Sequence, residues 1–149
     1  MKVVGRGFAF DDLKVGLQFR THRRTITEAD LAAFANLSWL TEEIFTVEEK
    51  GRQRLVPGAL VYAFAEGLLV QATMQHTGFA FLHMELTVES PVVAGDTIHA
   101  ECEIIEARRS KSRPGRGLVR TRVRVVKQDG TTALVYTPLR MVRCRDAAG

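Results

Sequence analysis

The sequence predicts an α+β fold, an antiparallel sheet wrapped around one long buried helix. Three observations predict it. Residues 58–76, opened by Pro57-Gly58, are apolar around nearly the whole helical circumference. Four later segments alternate apolar and polar residues and are joined by short turn signals, the pattern of antiparallel strands. Each of those strands offers one apolar face, and only the 58–76 helix is apolar enough to cover it.

Each element follows from its local pattern. Leu17 to Ile26 reads as a first strand. Thr27 is a helix N-cap with Asp30 as its capping-box partner. Leu31, Phe34 and Ala35 follow at helical spacing, and that helix ends near Ser38. Trp39 to Val56 is a mostly irregular, charged connection. In the long helix Leu60, Val61, Phe64, Leu68, Leu69 and Val70 leave little polar face. The stretch contains Glu66 and Gln71 and is too short and too polar to span a bilayer. His76, at its C-terminal end, suits the negative end of the helix dipole.

The second half changes period. Leu82, Met84, Leu86 and Val88 alternate with His83, Glu85, Thr87 and Glu89, a half-buried strand. After Gly95-Asp96, Ile98, Ala100, Cys102 and Ile104 alternate with polar residues. Pro114-Gly115 turns the chain into Val119, Thr121, Val123 and Val125. Asp129-Gly130 is a hairpin signal. Ala133 to Arg143 forms the last strand, where Pro138 marks an edge or a bulge.

Composition bounds the function. The chain has 149 residues, 46% hydrophobic and 26% charged, which excludes a disordered tail, a fibre and a coiled-coil rod. We read a single domain, 1–149. Two cysteines make no disulfide framework, and Cys102, in an apolar register, reads as a small core residue. The first residues lack the apolar region of a signal peptide, so a soluble, cytoplasmic protein is expected. The net charge of +4 is unevenly spread. Residues 107–127 hold nine basic residues and no acid, while the remainder holds 12 basic against 17 acidic.

Several segments together resemble the MaoC-like dehydratase family of the hot-dog fold. Phe10-Asp11-Asp12-Leu13-Lys14-Val15-Gly16 resembles the family's opening, and Thr25 to Ala35 its first helix. Ser90-Pro91-Val92-Val93-Ala94-Gly95-Asp96-Thr97-Ile98 is similar to its strand-turn-strand signature. Arg109 to Gly117, with Gln128-Asp129-Gly130, resembles its later hairpins. The likeness runs from about residue 10 to residue 144.

The resemblance implies hydration or dehydration of acyl thioesters of coenzyme A or acyl carrier protein, with no other cofactor. A carboxylate and an imidazole share one water. A backbone N–H at the start of the buried helix polarises the thioester carbonyl. The family's Asp and His stand five residues apart, just after the first helix. Here Leu40 stands where the Asp is expected and Phe45 where the His is expected. The family's His-Gly before the buried helix reads Pro57-Gly58. Two apolar residues transfer no proton, so the usual hydratase dyad is absent on this alignment. The implied binding residues are Leu40, Phe45, Pro57, Gly58 and Ala59.

Other readings stay open. Glu42 or Glu43 would serve as the base of an active (R)-specific enoyl-CoA hydratase or a thioesterase; against that stands a solvated acidic loop with Glu48 and Glu49. Arg120, Arg122 and Arg124 read as a solvated strand face. Arg108, Arg109, Lys111, Arg113 and Arg116 flank a turn and suit the phosphates of coenzyme A or an acidic carrier protein. Nucleic acid is the weaker partner, since aromatics are not interleaved. His83 and His99 fall on polar strand faces as candidate cross-strand neighbours, short of a zinc site, and no metal is expected. Hot-dog sites are usually shared between protomers, so a homodimer or higher oligomer is expected, or a heteromer with a catalytic subunit.

Overall fold

Alternating side chains sort the second half of the chain onto one sheet, and the apolar helix lies on its inner face. The computed structural model describes residues 1–146; the last three residues of the expected 1–149 domain lie outside the described residues. In chain order the elements are β1 (Gln18–Arg20), β2 (Arg24–Thr25), α1 (Glu28–Ser38), α2 (Glu43–Thr46), α3 (Gly58–Leu69), a π turn (Val70–Met74), β3 (Gly78–His83), β4 (Leu86–Val88), β5 (Thr97–Arg109), β6 (Arg116–Lys127), β7 (Thr132–Tyr136) and β8 (Leu139–Arg143).

The eight strands occupy five lanes of one antiparallel sheet. β7 and β8 are one lane along β6. Their register runs unbroken from Val125↔Leu134 to Arg116↔Arg143. Pro138 has no N–H to donate, so the ladder lapses there, although its carbonyl still accepts from Thr121 N at 3.2 Å. β3 and β4 form the next lane, bulged at two points, with Thr137 N bonded to Glu85 O between them. The first strand differs from the single run expected over 17–26. It splits at Thr21, whose N–H donates to Ala100 O at 2.9 Å and whose Oγ1 accepts from Ala100 N at 3.0 Å. The hydroxyl takes a place in the ladder and lets the backbone bulge between β1 and β2.

On β5 the alternation is as expected: Ile98, Ala100, Cys102 and Ile104 are buried and the intervening residues half-buried. α1 starts at the expected cap. Thr27 Oγ1 accepts from Asp30 N, and Asp30 Oδ2 accepts from Thr27 N. The connection after it is less irregular than expected, since it contains α2. The long helix is shorter than 58–76, because its last turn widens to a π turn. Nor is it buried all round. Leu60, Val61, Ala65 and Leu69 face the sheet, while Ala59, Ala63, Gly67 and Val70 are exposed. One sheet covers one side of a helix, and small residues occupy the other. Phe64 is capped by the Arg24 guanidinium, 3.7 Å above its ring.

Glu66 interrupts the apolar helix because it has partners inside. Tyr136 Oη donates to Glu66 Oε1 at 2.8 Å, and Arg140 Nη2 donates to the same oxygen at 2.5 Å. Tyr62 stacks edge-on against Tyr136, with ring centroids 5.1 Å apart. A smaller core of Leu13, Ile104, Val119 and Val142 closes the far end of the sheet. Beside it lies a cavity of about 40 Å³ between the end of α3 and the sheet. That volume admits no more than a few waters.

Two consequences are measurable. A Cβ on Gly7 would lie 2.0 Å from Thr73 O, a backbone atom, whereas one on Gly67 meets nothing within 4 Å. Gly7→Ala should therefore cost at least ~1–3 kcal/mol in chemical denaturation. Gly67→Ala, in mid-helix, should add about 0.5–1 kcal/mol. The second consequence concerns alkaline pH. Burial pushes the Cys102 thiol up to about 12 and raises the Tyr136 phenol further, helped by the Glu66 carboxylate. Both groups are neutral in the folded chain and ionise more readily once unfolded. Their stabilisation is complete below the ordinary thiol pKa of 9.0 and is lost as pH climbs from there toward 12. The slope is about 1.4 kcal/mol per pH unit per proton. Cys102→Ala should flatten it between pH 9 and 11.

Candidate functional site

The start of α3 is built by the chain on either side of it. Val56 N donates to Val92 O at 2.8 Å, and Ala94 N to Arg54 O at 3.2 Å. The 90–96 loop opposite is held by the buried Asp96. Its carboxylate accepts from Val93 N at 2.9 Å and from Gln128 Nε2 at 2.7 Å, with Lys127 Nζ 3.6 Å away. Pro57 then sets the entry to the helix, and its carbonyl accepts from Leu60 N and Val61 N. The N–H groups of Gly58 and Ala59 have no acceptor among the described residues. They are the open donors that every helix start leaves, at the positive end of its dipole.

Beside Gly58 is a groove of about 370 Å³. Phe45, Val61, Val88, Pro91, Val92 and Leu134 make it apolar; Leu55, Val56, Glu89 and Ser90 complete it. The Ser90 hydroxyl is engaged, donating to Thr132 O at 2.7 Å. Among the described residues Glu89 is the one titratable group in the lining, and no histidine lines the groove. Such a site can hold an apolar chain and offer N–H donors to a carbonyl oxygen. Its own lining supplies no imidazole for proton transfer.

Of the residues expected here, the structure brings Phe45 and Gly58 together. Phe45 also packs on the main core. Leu40 is not in the lining. α1 ends on Trp39 in the left-handed region (φ 63°), and the turn carries Leu40 out to 39% exposure. Pro57 is buried behind the groove and contributes its carbonyl cap. Ala59, one residue along the helix from Gly58, points to solvent, so its amide alone is available. Glu42 and Glu43 are exposed at the start of α2 and line no part of the groove. Val61, Glu89 and Ser90 were not anticipated. The end of the 82–89 alternation, where the chain must leave the sheet, was the available signal for the last two.

The cationic hairpin is largely paired. Arg124 lies 2.5 Å from Glu101, Arg122 3.3 Å from Glu103 and Arg120 3.5 Å from Glu106, in cross-strand register between β5 and β6. Arg124, then His99, hold the Glu101 carboxyl below its ordinary pKa. The run without acids is thus answered by acids on the neighbouring strand, just before residue 107. Arg108 pairs with Glu106, and Arg109 with Asp11. Arg116 donates to Met141 Sδ at 3.7 Å. Lys111 and Arg113 stand exposed at the tip. The tip also lies far from Gly58. The 13 residues of β5 separate it from the Thr97 end of the sheet, roughly 40 Å at strand rise. Within one chain the hairpin and the groove are separate surfaces.

His83 and His99 are not neighbours. They lie on the first and fourth lanes counted from the β3/β4 edge. His83 Nδ1 is 3.4 Å from Arg120, and His99 Nε2 is 3.1 Å from Glu101. His76 lies beyond the π turn, exposed and left-handed (φ 64°), off the helix end. Among the described residues no three His, Cys, Asp or Glu side chains gather as a metal site, and no helix is long and apolar enough to cross a membrane.

No protein-family model and no curated protein matches the chain. Solved structures do. A MaoC-like dehydratase from Rhodospirillum rubrum is 24% identical, with a TM-score of 0.78 over 95% of this chain and 100% of that one. An (R)-hydratase from A. caviae involved in PHA biosynthesis is 26% identical, with a TM-score of 0.67 over 89% and 97%. A protein from Mycobacterium tuberculosis with a double hot-dog fold is 24% identical, with a TM-score of 0.77 over 99% of this chain and 48% of that one. The sheet that wraps α3 is therefore the hot-dog fold, in the arrangement seen in MaoC-like dehydratases and (R)-hydratases.

Proposed function

We propose that this protein binds acyl thioesters of coenzyme A or acyl carrier protein in the Gly58 groove and lacks the hydratase dyad. It works as a homodimer, or as the non-catalytic partner of a catalytic subunit. One observation carries the reading. The groove pairs two open helix N–H groups with an apolar lining that includes Phe45, the residue the resemblance aligns with the family's histidine. An acyl chain would lie along Val61, Val92 and Leu134, and the thioester oxygen would take the N–H groups of the first turn. The alternative that uses Glu42 or Glu43 needs a carboxylate in the groove, and both are exposed outside it.

The oligomer rests on the β3/β4 lane. It is an outer lane of the sheet, and it carries Phe81, Leu82, Leu86 and Val88 at 38–59% exposure. An open edge with apolar side chains is a pairing surface. Val88 also lines the groove, so a second copy on this edge would close the site. The Mycobacterium tuberculosis neighbour, with its double hot-dog fold, has two such units available in one chain.

Two experiments follow. Crotonyl-CoA should bind in calorimetry yet undergo no hydration, measured by loss of enoyl absorbance. Gly58→Leu, placed where a Cβ makes only an ordinary 3.7 Å contact with Val88, should abolish binding at an unchanged melting temperature. Hydration that vanishes in Glu42→Gln or Glu43→Gln would sink the reading. Separately, Leu82→Glu with Leu86→Glu should convert the oligomer to a monomer in light scattering, and thioester binding should weaken with it. A double variant of unchanged mass would place the interface elsewhere.

A further inference from the structure

Ten of the sixteen arginines of this chain lie against a carboxylate. They are Arg24, Arg52, Arg54, Arg108, Arg109, Arg120, Arg122, Arg124, Arg140 and Arg145. Arg20 and Arg23 have no carboxylate within ion-pair distance among the described residues, and nor have Arg6 and Arg113, but only Arg20 and Arg23 stand together in one groove. They share a groove of about 530 Å³ with Thr21, His22, Ala72 and His99, and no acidic residue lines it. Arg20, His22 and Arg23 have no side-chain partner among the described residues; His99 is bonded to Glu101 at 3.1 Å.

The backbone there is fixed while the charges are free. Thr21 is buried and tied to Ala100 through both its amide and its hydroxyl, and its Oγ1 also donates to His22 O at 2.8 Å. That anchor makes the bulge between β1 and β2 and throws Arg20, His22 and Arg23 outward together. Glu101 stands opposite Arg20 in the β1–β5 register, but its carboxylate is taken by Arg124 and His99, which leaves Arg20 without an ion pair. Two forked guanidiniums and an imidazole on a rigid bulge instead match the oxygens of a phosphate group.

We propose that this groove is a phosphate site. Resting on the thioester reading above, its ligand is the phosphate end of the thioester's carrier, a role the 108–116 hairpin was expected to fill. The reach favours the groove. Ala72 lies 14 residues beyond Gly58 along α3 and the π turn, an axial separation of about 21 Å at helical rise, to which the step across to the β1/β2 edge adds. That is about half the span to the hairpin tip, and an extended pantetheine arm covers a distance of that order.

The test compares butyryl-CoA with butyryl-pantetheine, which lacks the phosphates, by titration calorimetry on the full chain. Arg20→Ala with Arg23→Ala should weaken butyryl-CoA about tenfold and leave butyryl-pantetheine unchanged. It should also flatten the salt dependence of the CoA thioester. An unchanged ratio of the two affinities in that variant would overturn the proposal. So would a tenfold loss caused instead by Lys111→Ala with Arg113→Ala. If neither thioester binds, the thioester reading falls, and inorganic pyrophosphate then decides the phosphate site alone. Pyrophosphate binding that is lost in Arg20→Ala with Arg23→Ala supports it, and no pyrophosphate binding overturns it.

Discussion

Everything in this chain is arranged around the burial of one side of α3. Leu60, Val61, Ala65 and Leu69 leave water only because Ile98, Ala100, Cys102, Val123, Val125 and Leu134 present one apolar face to them. Burying side chains of this size contributes ~1.5–3 kcal/mol each, far more than any surface ion pair in the molecule. The sheet therefore curls to cover the helix, and the start of α3 opens where that covering ends. The groove at Gly58 is a consequence of the same packing. It lies where the helix has begun and the sheet has run to its outer lane.

Apolar burial selects the face that α3 turns to the sheet, but it is not directional. Glu66 adds the directional constraint. Its carboxylate is half-buried, and a half-buried charge needs partners, which Tyr136 and Arg140 supply from two strands of one lane. The same bonds reinforce the rotation of α3 that its apolar face selects. They also set the direction of the Gly58 and Ala59 N–H groups, two turns earlier on the same rigid rod. A polar residue inside an apolar helix thus positions a site it does not touch.

Much of this was legible in the sequence, for a physical reason. Period-two alternation reports a one-sided sheet, and β5 follows it from Ile98 to Ile104 and β6 over most of its length. Thr27 and Asp30 announce α1 because capping is local chemistry. What was not legible depends on partners distant in sequence. The burial of α3 was overestimated because small residues such as Ala63 and Gly67 read as core in a sequence, while in the fold they mark an uncovered side. Leu40 was placed in the groove by alignment, yet one left-handed residue, Trp39, redirects the chain. The break of the first strand at Thr21 follows from a hydroxyl meeting Ala100, 79 residues away. Phe45 and Gly58 were legible together because both lie close to the helix start that defines the groove.

The charge pattern shows the same limit and how the structure resolves it. Along the chain, residues 107–127 are the cationic feature and Arg20 to Arg24 an unremarked cluster. In space the order reverses. β5 supplies Glu101, Glu103 and Glu106 to the arginines of β6 at ladder spacing, so the longer run is a series of weak, screened pairs. The shorter cluster lies at the other edge of β5, where Asp30 answers Arg24, while Arg20 and Arg23 have no ion-pair partner among the described residues. Electrostatic recognition depends on uncompensated charge held in fixed geometry, rather than on charge counted along a sequence. By that criterion most of the hairpin's charge is already answered, and the proposed phosphate site lies at the edge anchored by Thr21.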